Sequence, residues 1–241
     1  MQFSQKPNRR NQLNIHNVTQ GSPEWLAARL GKATASEFAK ILTPGGKLSA
    51  QADAYARKIA RECVIDEPEE LRALPSKAMQ WGTAKEPEAR EAYMLATGHS
   101  VATVGFITHD TRGCLGCSPD GLCLNEFDTF WSGLEIKCPS IDTLTEWLLA
   151  KDKDDSFVPS EYLPQIHGSM IVCNLRRWDF CGYFPPLLDE FGKVKHRVPM
   201  VISTVTWNTY TDKLQAAMFE FADRYRVIAP DVWRVLGKGE S

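Results

Sequence analysis

A turn and the β-rich segment that follows it carry the residues that could do chemistry. Asp120 lies in a Pro-Asp-Gly turn, and Glu135, Ile136 and Lys137 follow shortly afterwards. Because side chains alternate between the faces of a strand, Glu135 and Lys137 point to one side and Ile136 to the other. The segment between is long enough for a hairpin that returns Glu135 beside Asp120. We therefore expect two carboxylates and an ammonium group at one cleft, with Ile136 in the core.

Two carboxylates beside a lysine suit the hydrolysis of a phosphodiester with a divalent cation. Mg²⁺ takes oxygen ligands, usually one or two carboxylates together with water and substrate phosphate. The cation lowers the pKa of a bound water and neutralises charge on the phosphate. A lysine can then orient that water or stabilise the charge of the transition state. A Pro-Asp-Gly turn or a Glu-x-Lys strand pair is by itself a common structural feature. The proximity of the two favours a catalytic role over a purely structural one.

Helices with recognisable ends surround this segment. Ser22-Pro23-Glu24 predicts a helix start, because it combines a capping serine, proline at the first helical position and an acid in the first turn. Thr34-Ala35-Ser36-Glu37 has the spacing of a capping box and predicts a second, short helix. Pro87 should break or kink a helix at 77–97, or mark its true start. The other helical patterns cover residues 49–65, 141–150, 160–175 and 208–228.

Short β-rich segments lie between the helices, at residues 101–108, 114–118, 121–124, 133–138, 177–184 and 199–207. Helices first, then a small sheet, then helices mixed with strands indicate an α/β fold with a central mixed β-sheet flanked by helices. We expect residues 1–20 to be a flexible N-terminal tail and residues 21–241 to form a single domain.

The composition is that of an ordinary globular protein. Of 241 residues, 43% are apolar and 24% charged, and the formal net charge is −2. This balance argues against a protein that coats nucleic acid without regard to sequence, but a charged cleft can still bind DNA. No apolar run reaches the length of a membrane span, and the N-terminus lacks the apolar region of a secretory signal. We therefore expect a cytoplasmic location and no membrane partner.

The seven cysteines invite a zinc or iron–sulfur interpretation, since Cys114 and Cys117 are followed by Cys123 and Cys138. These cysteines fall on predicted strands, however, where positions three apart face opposite ways. We expect buried, reduced thiols rather than a metal cluster. The five histidines show no ligand spacing, and His167 is expected to be a packing residue.

Six sequence blocks in order make the chain resemble bacteriophage lambda exonuclease and the related viral alkaline exonucleases, within the PD-(D/E)xK nuclease superfamily. They are Trp25-Leu26-Ala27-Ala28-Arg29-Leu30-Gly31, Thr34-Ala35-Ser36-Glu37, Trp81-Gly82 with Glu86, Cys117-Ser118-Pro119-Asp120-Gly121-Leu122, Gly133-Leu134-Glu135-Ile136-Lys137-Cys138-Pro139 and Tyr162-Leu163-Pro164-Gln165. The resemblance implies a restriction-endonuclease-like core.

In function, the resemblance implies a ring-shaped homotrimer that threads linear double-stranded DNA. Such an enzyme digests one strand processively from its 5′ end and leaves a 3′ single-stranded overhang. The implied cofactor is Mg²⁺, with two ions per site and Mn²⁺ as a substitute. The implied role is phage-type homologous recombination with a single-strand annealing protein, in the cytoplasm of a bacterial host and encoded by a phage or prophage.

The resemblance also implies roles for the residues of the turn and of the strand that follows it. Asp120 would bridge the metals, with Glu135 and the backbone carbonyl of Ile136 as further ligands. Lys137 would position the attacking water. Glu86 would support a metal ion or its water, although the proline that follows it departs from the family pattern.

Five further residues receive roles by the same resemblance. Arg29, Ser36 and Ser118 would bind the terminal 5′-phosphate, Gln165 would reach into the active site, and Met79 would be a wedge that parts the duplex. A guanidinium fork and a helix N-terminus both suit a phosphate. As alternatives, Arg29 could stabilise its helix end, Ser36 could be a bystander, and Met79 could belong to the core.

Two other functions remain open. A site-specific DNA endonuclease of the same superfamily would use the same chemistry, and a catalytically silent DNA-binding scaffold would keep the fold without it. The intact set of Asp120, Glu135 and Lys137 favours an enzyme over the scaffold.

Overall fold

The computed structural model of the protein describes residues 13–68 and 76–237. Its centre is a five-stranded mixed sheet. In chain order its strands are β3 (Ser100–Ala102), β6 (Gly121–Leu124), β7 (Phe130–Lys137), β8 (Arg177–Gly182) and β11 (Val201–Thr206), and in space they run β11-β8-β7-β6-β3. Only β7 and β8 are parallel neighbours in this sheet. A mixed central sheet is therefore present, as the sequence predicts.

A second sheet has four strands in the order β1-β4-β5-β2. They are β1 (Asn14–His16), β2 (Ala33–Thr34), β4 (Phe106–Thr108) and β5 (Leu115–Cys117). Residues 14–16, which we expected inside a flexible tail, are thus a paired strand, and the expectation for residues 1–12 lies outside the described residues. The β-rich segment 101–108 is divided between the two sheets at Gly105, where an added Cβ would lie 2.2 Å from the Val18 carbonyl oxygen.

Helices cover both faces of the central sheet. The helices are α1 (Pro23–Arg29), α2 (Ala52–Ile65), α3 (Lys77–Thr97), α4 (Ile141–Lys153), α5 (Leu163–Cys173) and α6 (Thr209–Val235). Helix α3 packs on one face through a small cluster that includes Tyr93, Leu134 and Ile136. Helices α2, α4, α5 and α6 contribute to the larger cluster, which contains Trp178 and Phe180.

Pro87 neither breaks its helix nor marks its start, contrary to two of the three outcomes that the sequence predicts. Helix α3 runs continuously from Lys77, with Ser76 as its N-cap, and Pro87 lies inside it. A proline removes the bond to the carbonyl one turn earlier, here that of Thr83. Thr83 is exposed and lines an open cleft, where water can solvate the freed carbonyl.

The expected capping box at Thr34 is also wrong. Residues 35–40 form a 3₁₀ helix, and the Thr34 side chain makes no capping hydrogen bond. Thr34 is instead the end of β2, paired with Gly116 in parallel, and Glu37 pairs with Lys40. In a capping box the Glu37 side chain would accept from the Thr34 amide, but that amide donates to the Tyr55 hydroxyl at 3.0 Å instead.

Of the four cysteines that we expected to be buried, Cys117 and Cys123 are buried, whereas Cys114 and Cys138 are half-buried. His167 is a packing residue, as expected, because it is buried and hydrogen-bonded through Nδ1 to the Thr211 hydroxyl at 2.8 Å. Among the described residues, no helix has both the length and the apolar character that a membrane crossing requires.

Candidate active site

The β6–β7 hairpin brings Asp120 beside Glu135. Gly121 pairs with Leu134 in an antiparallel register, so the residues just before and just after them are neighbours. The Asp120 carboxylate accepts a hydrogen bond of 2.6 Å from the Ile136 amide, and the Lys137 ammonium donates to the Glu135 carboxylate at 2.5 Å. Asp120, Glu135 and Lys137 therefore lie together, as the sequence predicts.

The alternation along β7 separates this polar group from the core. Ile136 is buried in the small cluster beneath α3. Glu135 is also buried, at 1% exposure, on the opposite side of the strand. The Lys137 ammonium lies over the ring of Tyr162, 5.2 Å from its centroid, so an aromatic face and a carboxylate together fix the position of this cation.

Helix α3 adds a third carboxylate and an arginine. Glu86 and Arg90 are four residues apart on the helix, hence on one face, and form an ion pair. Arg90 also donates through Nε to the backbone carbonyl of Asp120 at 2.8 Å. One guanidinium group thus ties the α3 carboxylate to the turn that carries Asp120.

Burial raises the pKa values of all three carboxyl groups, and repulsion by neighbouring acids raises those of Glu86 and Glu135 further. Burial, followed by the charge of Asp120, raises the pKa of Glu86 to about 7, against the opposing effect of Arg90. Burial also raises the pKa of Asp120 and takes that of Glu135 to about 8. Burial alone would lower the pKa of Lys137, but the charges of Glu135 and Asp120 outweigh it and raise that pKa.

Two open clefts meet at the carboxylates. Glu86 and Asp120 line both of them. The first cleft, of about 490 Å³, is also lined by Met79, Lys137 and Tyr162. The second, of about 620 Å³, lies towards residues 15–20 and 102–105 and has Arg90 in its wall. Glu86 and Asp120 are therefore open to a substrate from two sides, whereas the buried Glu135 is not among the residues that line either cleft.

The donor set fits a hard divalent cation, although the described residues contain no preformed group of three or more His, Cys, Asp or Glu arranged to hold one. Carboxylate oxygens that repel one another and lie at an open cleft are the ligands that Mg²⁺ accepts, and Mg²⁺ commonly keeps several waters. In this structure Lys137 and Arg90 supply the positive charge that offsets Glu135 and Glu86.

Of the three residues expected at a terminal phosphate, Arg29 and Ser118 both contact Trp25, and Ser36 follows the strand β2 that pairs with β5. Thr34 is the parallel partner of Gly116, and Ser36 and Ser118 each follow two residues later. The Trp25 indole donates to the Ser118 hydroxyl at 2.8 Å. The Arg29 guanidinium lies 4.1 Å from the centroid of the same Trp25 ring.

Met79 and Gln165 have different surroundings. Met79 is 63% exposed and lines the first cleft, so its alternative assignment to the core is wrong. Gln165 is half-buried near the start of α5, one turn after Tyr162. Gln165 is not among the residues that line the two clefts, within the part of the chain that the structure describes.

Sequence reasoning missed three supporting residues. Arg90 could have been found, because its spacing of four from Glu86 on a helix predicts a contact. Trp25 and Gln20 could not, since their contacts join distant segments. Gln20 donates through its amide to the carbonyls of Val104 and Pro119, both at 2.9 Å, and so holds the chain just before Asp120.

Comparison with known proteins finds solved structures that are similar to the chain. An alkaline exonuclease (LHK-Exo) from Laribacter hongkongensis has a solved structure that is 26% identical, with a TM-score of 0.63, covering 89% of this chain and 100% of that chain. The same enzyme in complex with dAMP aligns with a TM-score of 0.62, at the same identity and coverage. No curated protein sequence matches the chain.

A phage-related exonuclease from Haemophilus somnus 129PT shares the fold alone, at 13% identity and a TM-score of 0.57, over 85% of this chain and 96% of that chain. These neighbours have the restriction-endonuclease-like fold, which confirms the fold class predicted from the sequence. The resemblance to viral alkaline exonucleases is likewise confirmed. Residues 24–176 match the model of the YqaJ-like viral recombinase domain, and the chain belongs to that family.

Proposed function

We propose that the protein is a Mg²⁺-dependent exonuclease that digests linear double-stranded DNA processively from the 5′ end and leaves 3′ overhangs. Membership of a viral recombinase family and similarity to an alkaline exonuclease support a nuclease that acts in recombination. The observation that carries the proposal is the convergence of Asp120, Glu135 and Lys137, of which Asp120 and Lys137 line an open cleft.

The proposed chemistry divides among the converging residues. Asp120, Glu135 and the Ile136 carbonyl would hold two Mg²⁺ ions, for which Mn²⁺ would substitute, and Glu86 would support an ion or its water. When bound, the ions activate water and neutralise the charge of the scissile phosphate. Lys137 orients the nucleophile and stabilises negative charge from the position that Glu135 and Tyr162 give it.

Recognition of the DNA end falls to a second group. Arg29, Ser36 and Ser118 would hold the terminal 5′-phosphate, which fixes the next phosphodiester relative to the carboxylates. The contacts of Trp25 with Arg29 and Ser118 support this proposal. Met79, exposed at the cleft, would be the wedge that separates the strands, and Gln165 would approach from α5.

The assembly and partners belong to the same proposal. Three copies would form a ring around the duplex, and a single-strand annealing protein would take up the 3′ tail. The viral recombinase family fits a phage-encoded protein that acts in the cytoplasm of a bacterial host.

The test uses DNA ends. Linear duplex with a 5′-phosphate should be digested in Mg²⁺, more slowly without the phosphate, and not at all in EDTA. Covalently closed circular duplex should stay intact. Cleavage of the circle would instead identify an endonuclease of the superfamily, and no hydrolysis of any duplex in Mg²⁺ or Mn²⁺ would identify a silent scaffold.

Lys137→Ala separates chemistry from binding. Because the lysine ammonium contacts Glu135 at the cleft, its loss should lower the hydrolysis rate by about 10²–10⁴-fold. Binding of duplex in EDTA should change little, since the terminal-phosphate residues are untouched. A variant that digests DNA as fast as the wild type would overturn the assignment of Lys137.

A further inference from the structure

A basic hairpin leaves the central sheet beside Lys137. Gly182, at the end of β8, pairs with Lys137 on one side and with Val201, at the start of β11, on the other. Residues 183–200 therefore leave and rejoin the sheet at the edge where the proposed catalytic lysine lies. We define the arm as residues 187–197, which contain β9 (Leu187–Leu188) and β10 (Val194–His196).

The connection between the arm and the cleft is short and stiff. The Tyr183 amide donates to the Lys137 carbonyl at 2.9 Å, and the Phe184 ring packs on Trp81 of α3, with centroids 6.0 Å apart. Pro185 and Pro186 then lead directly to β9. Because three residues span at most about 10 Å and consecutive prolines favour an extended, stiff chain, the base of the arm stays near the cleft rim.

The turn of the arm is internally fixed. The Asp189 carboxylate accepts hydrogen bonds from the Phe191 and Lys193 amides, at 2.9 and 2.8 Å. Leu188 pairs with Val194 across the two strands. The negative charge of Asp189 is thus engaged inside the turn, and the hairpin has one defined shape before it meets a partner.

Three exposed cations lie on the exterior of the arm. Lys193, Lys195 and Arg197 are all exposed, and none of them forms an ion pair with another of the residues described at 13–68 and 76–237. Elsewhere exposed cations often have a carboxylate partner, as Arg224 has Asp53. The arm also contains the exposed Glu190 and the engaged Asp189, so its formal charge is +1 on a chain whose formal net charge is −2, and its three cations lie together within five residues.

We propose that the arm binds the phosphate backbone of duplex DNA beside the cleft, through Lys193, Lys195 and Arg197. The inference rests on the proposed function, because it takes the substrate to be a duplex that extends out of the cleft. Duplex DNA presents one negative charge per about 1.7 Å of its axis, so an arm of this size meets several phosphates. Contacts of this kind hold the duplex in register without reading its sequence.

The exposed apolar side chains of the arm, Leu187, Leu188, Phe191 and Val194, present a competing occupant, a second copy of the chain. The unpaired cations favour duplex DNA over a second copy of the chain as the occupant. A contact between two copies would bring the same three cations of both arms together unless acids faced them, whereas phosphates neutralise them directly. Measurements of DNA binding and of subunit number distinguish these two occupants.

The test compares two charge reversals of equal size. The variant Lys193→Glu with Lys195→Glu changes the arm, and Lys153→Glu with Lys213→Glu changes exposed lysines at the end of α4 and on α6. Arg197 is left in place because it lies near Tyr183, which supports Lys137. Binding to a blunt duplex of about three helical turns is followed by fluorescence anisotropy in EDTA, from about 50 to 200 mM salt.

The arm variant should bind about tenfold more weakly, and the slope of log K against log salt should fall by about 2. The control should bind within about twofold of the wild type. Lys193→Arg with Lys195→Arg should retain the binding, because it keeps both charges. Equal affinities of the arm variant and the control would overturn the inference, as would a changed subunit number of the arm variant in light scattering.

Hydrolysis of linear duplex in Mg²⁺ by the wild type keeps this result apart from the proposed function. If the wild type digests DNA while the arm variant binds as tightly as its control, the arm inference alone fails. If the wild type digests nothing, the proposed function fails, whatever the arm binds.

Discussion

Arg90 shows how one side chain can organise a site without being part of the reaction. Its guanidinium group contacts both the Asp120 carbonyl and the Glu86 carboxylate, which come from different elements. A planar group with five donors can serve two acceptors at fixed angles, and a lysine cannot. We therefore treat Arg90 as a positioning residue that sets the separation of the two acids.

Removal of this bridge should reduce catalysis more than stability. Arg90→Ala should lower kcat by about 10–100-fold and weaken the apparent affinity for Mg²⁺, because loss of a residue that holds a metal-binding carboxylate in place commonly has an effect of that size. Arg90→Lys should recover only part of the loss. Lys85→Ala, which removes a surface pair with Glu88 on the same helix, is the control and should stay near the wild type. Equal kinetics for Arg90→Ala and the control would contradict the assignment.

The raised carboxyl pKa values make the metal-free protein less stable at higher pH. Glu86 and Glu135 have pKa values of about 7 and about 8 in the folded protein, against 4.5 for a free glutamate. Between these limits the folded state holds protons that the unfolded chain has released, so the free energy of unfolding falls as pH rises from about 4.5 to 8. In EDTA, these two groups should lower Tm across that interval.

Glu86→Gln tests this dependence, because it removes one of the titrating groups. The Tm of the variant in EDTA should fall less steeply between pH 5 and 8 than that of the wild type. Mg²⁺ should raise the wild-type Tm more at pH 8 than at pH 6, because a cation binds the deprotonated carboxylates. Parallel pH profiles for the two proteins would show that Glu86 does not titrate in this range.

At the scale of elements, the pattern along β7 was the most informative part of the sequence. A period of two placed Ile136 in the core and Glu135 with Lys137 on the other side, which the structure bears out. The pattern works because a strand with one apolar face has only one register that buries that face. The mixed sheet and most helix positions followed from similar local rules.

Other elements could not be predicted because distant segments determine them. Residues 14–16 contain two polar side chains, and they form a strand only because they pair with β4. Thr34 and Glu37 have capping-box spacing, but the Thr34 amide donates to the Tyr55 hydroxyl of α2 and Glu37 pairs with Lys40. Trp25 joins Ser118 across 93 positions of the chain, and no short-range pattern indicates such a contact.

Gly133 of β7 lies against the Trp178 ring of the neighbouring strand β8. An added Cβ at Gly133 would lie 2.3 Å from the ring of Trp178, which is fully buried. Gly133→Ala should therefore destabilise the protein by about 1–3 kcal/mol and disturb Glu135 and Lys137 further along the strand. Gly82→Ala is the matched substitution, since nothing lies within 4 Å of its Cβ inside helix α3.

Chemical denaturation of both variants measures the difference. Gly82→Ala should raise the free energy of unfolding by about 0.5–1 kcal/mol, because alanine favours a helix interior. Gly133→Ala should lower it and also reduce hydrolysis. If both substitutions change stability in the same direction, the close packing of Gly133 on Trp178 does not control the sheet.

At the scale of the whole molecule, charge and proposed assembly are in tension. Three copies triple the formal net charge of −2, and such a ring would repel DNA at long range. We expect lysine and arginine residues of the N-terminal half to line the channel and acids to lie outside. Because each phosphate contact releases counterions, entry of a DNA end into the ring should weaken steeply with salt.

Movement of the ring along the duplex after entry should depend less on salt than entry does, because a duplex enclosed by a ring cannot leave sideways. Labelled linear duplex is loaded without Mg²⁺, and Mg²⁺ is then added with a large excess of unlabelled duplex. Digestion of the labelled strand should continue through the excess, at a rate that changes little between about 50 and 200 mM salt, while the fraction loaded falls sharply. An enzyme that stops when the excess is added, or whose loading and movement weaken together with salt, acts without enclosing its substrate.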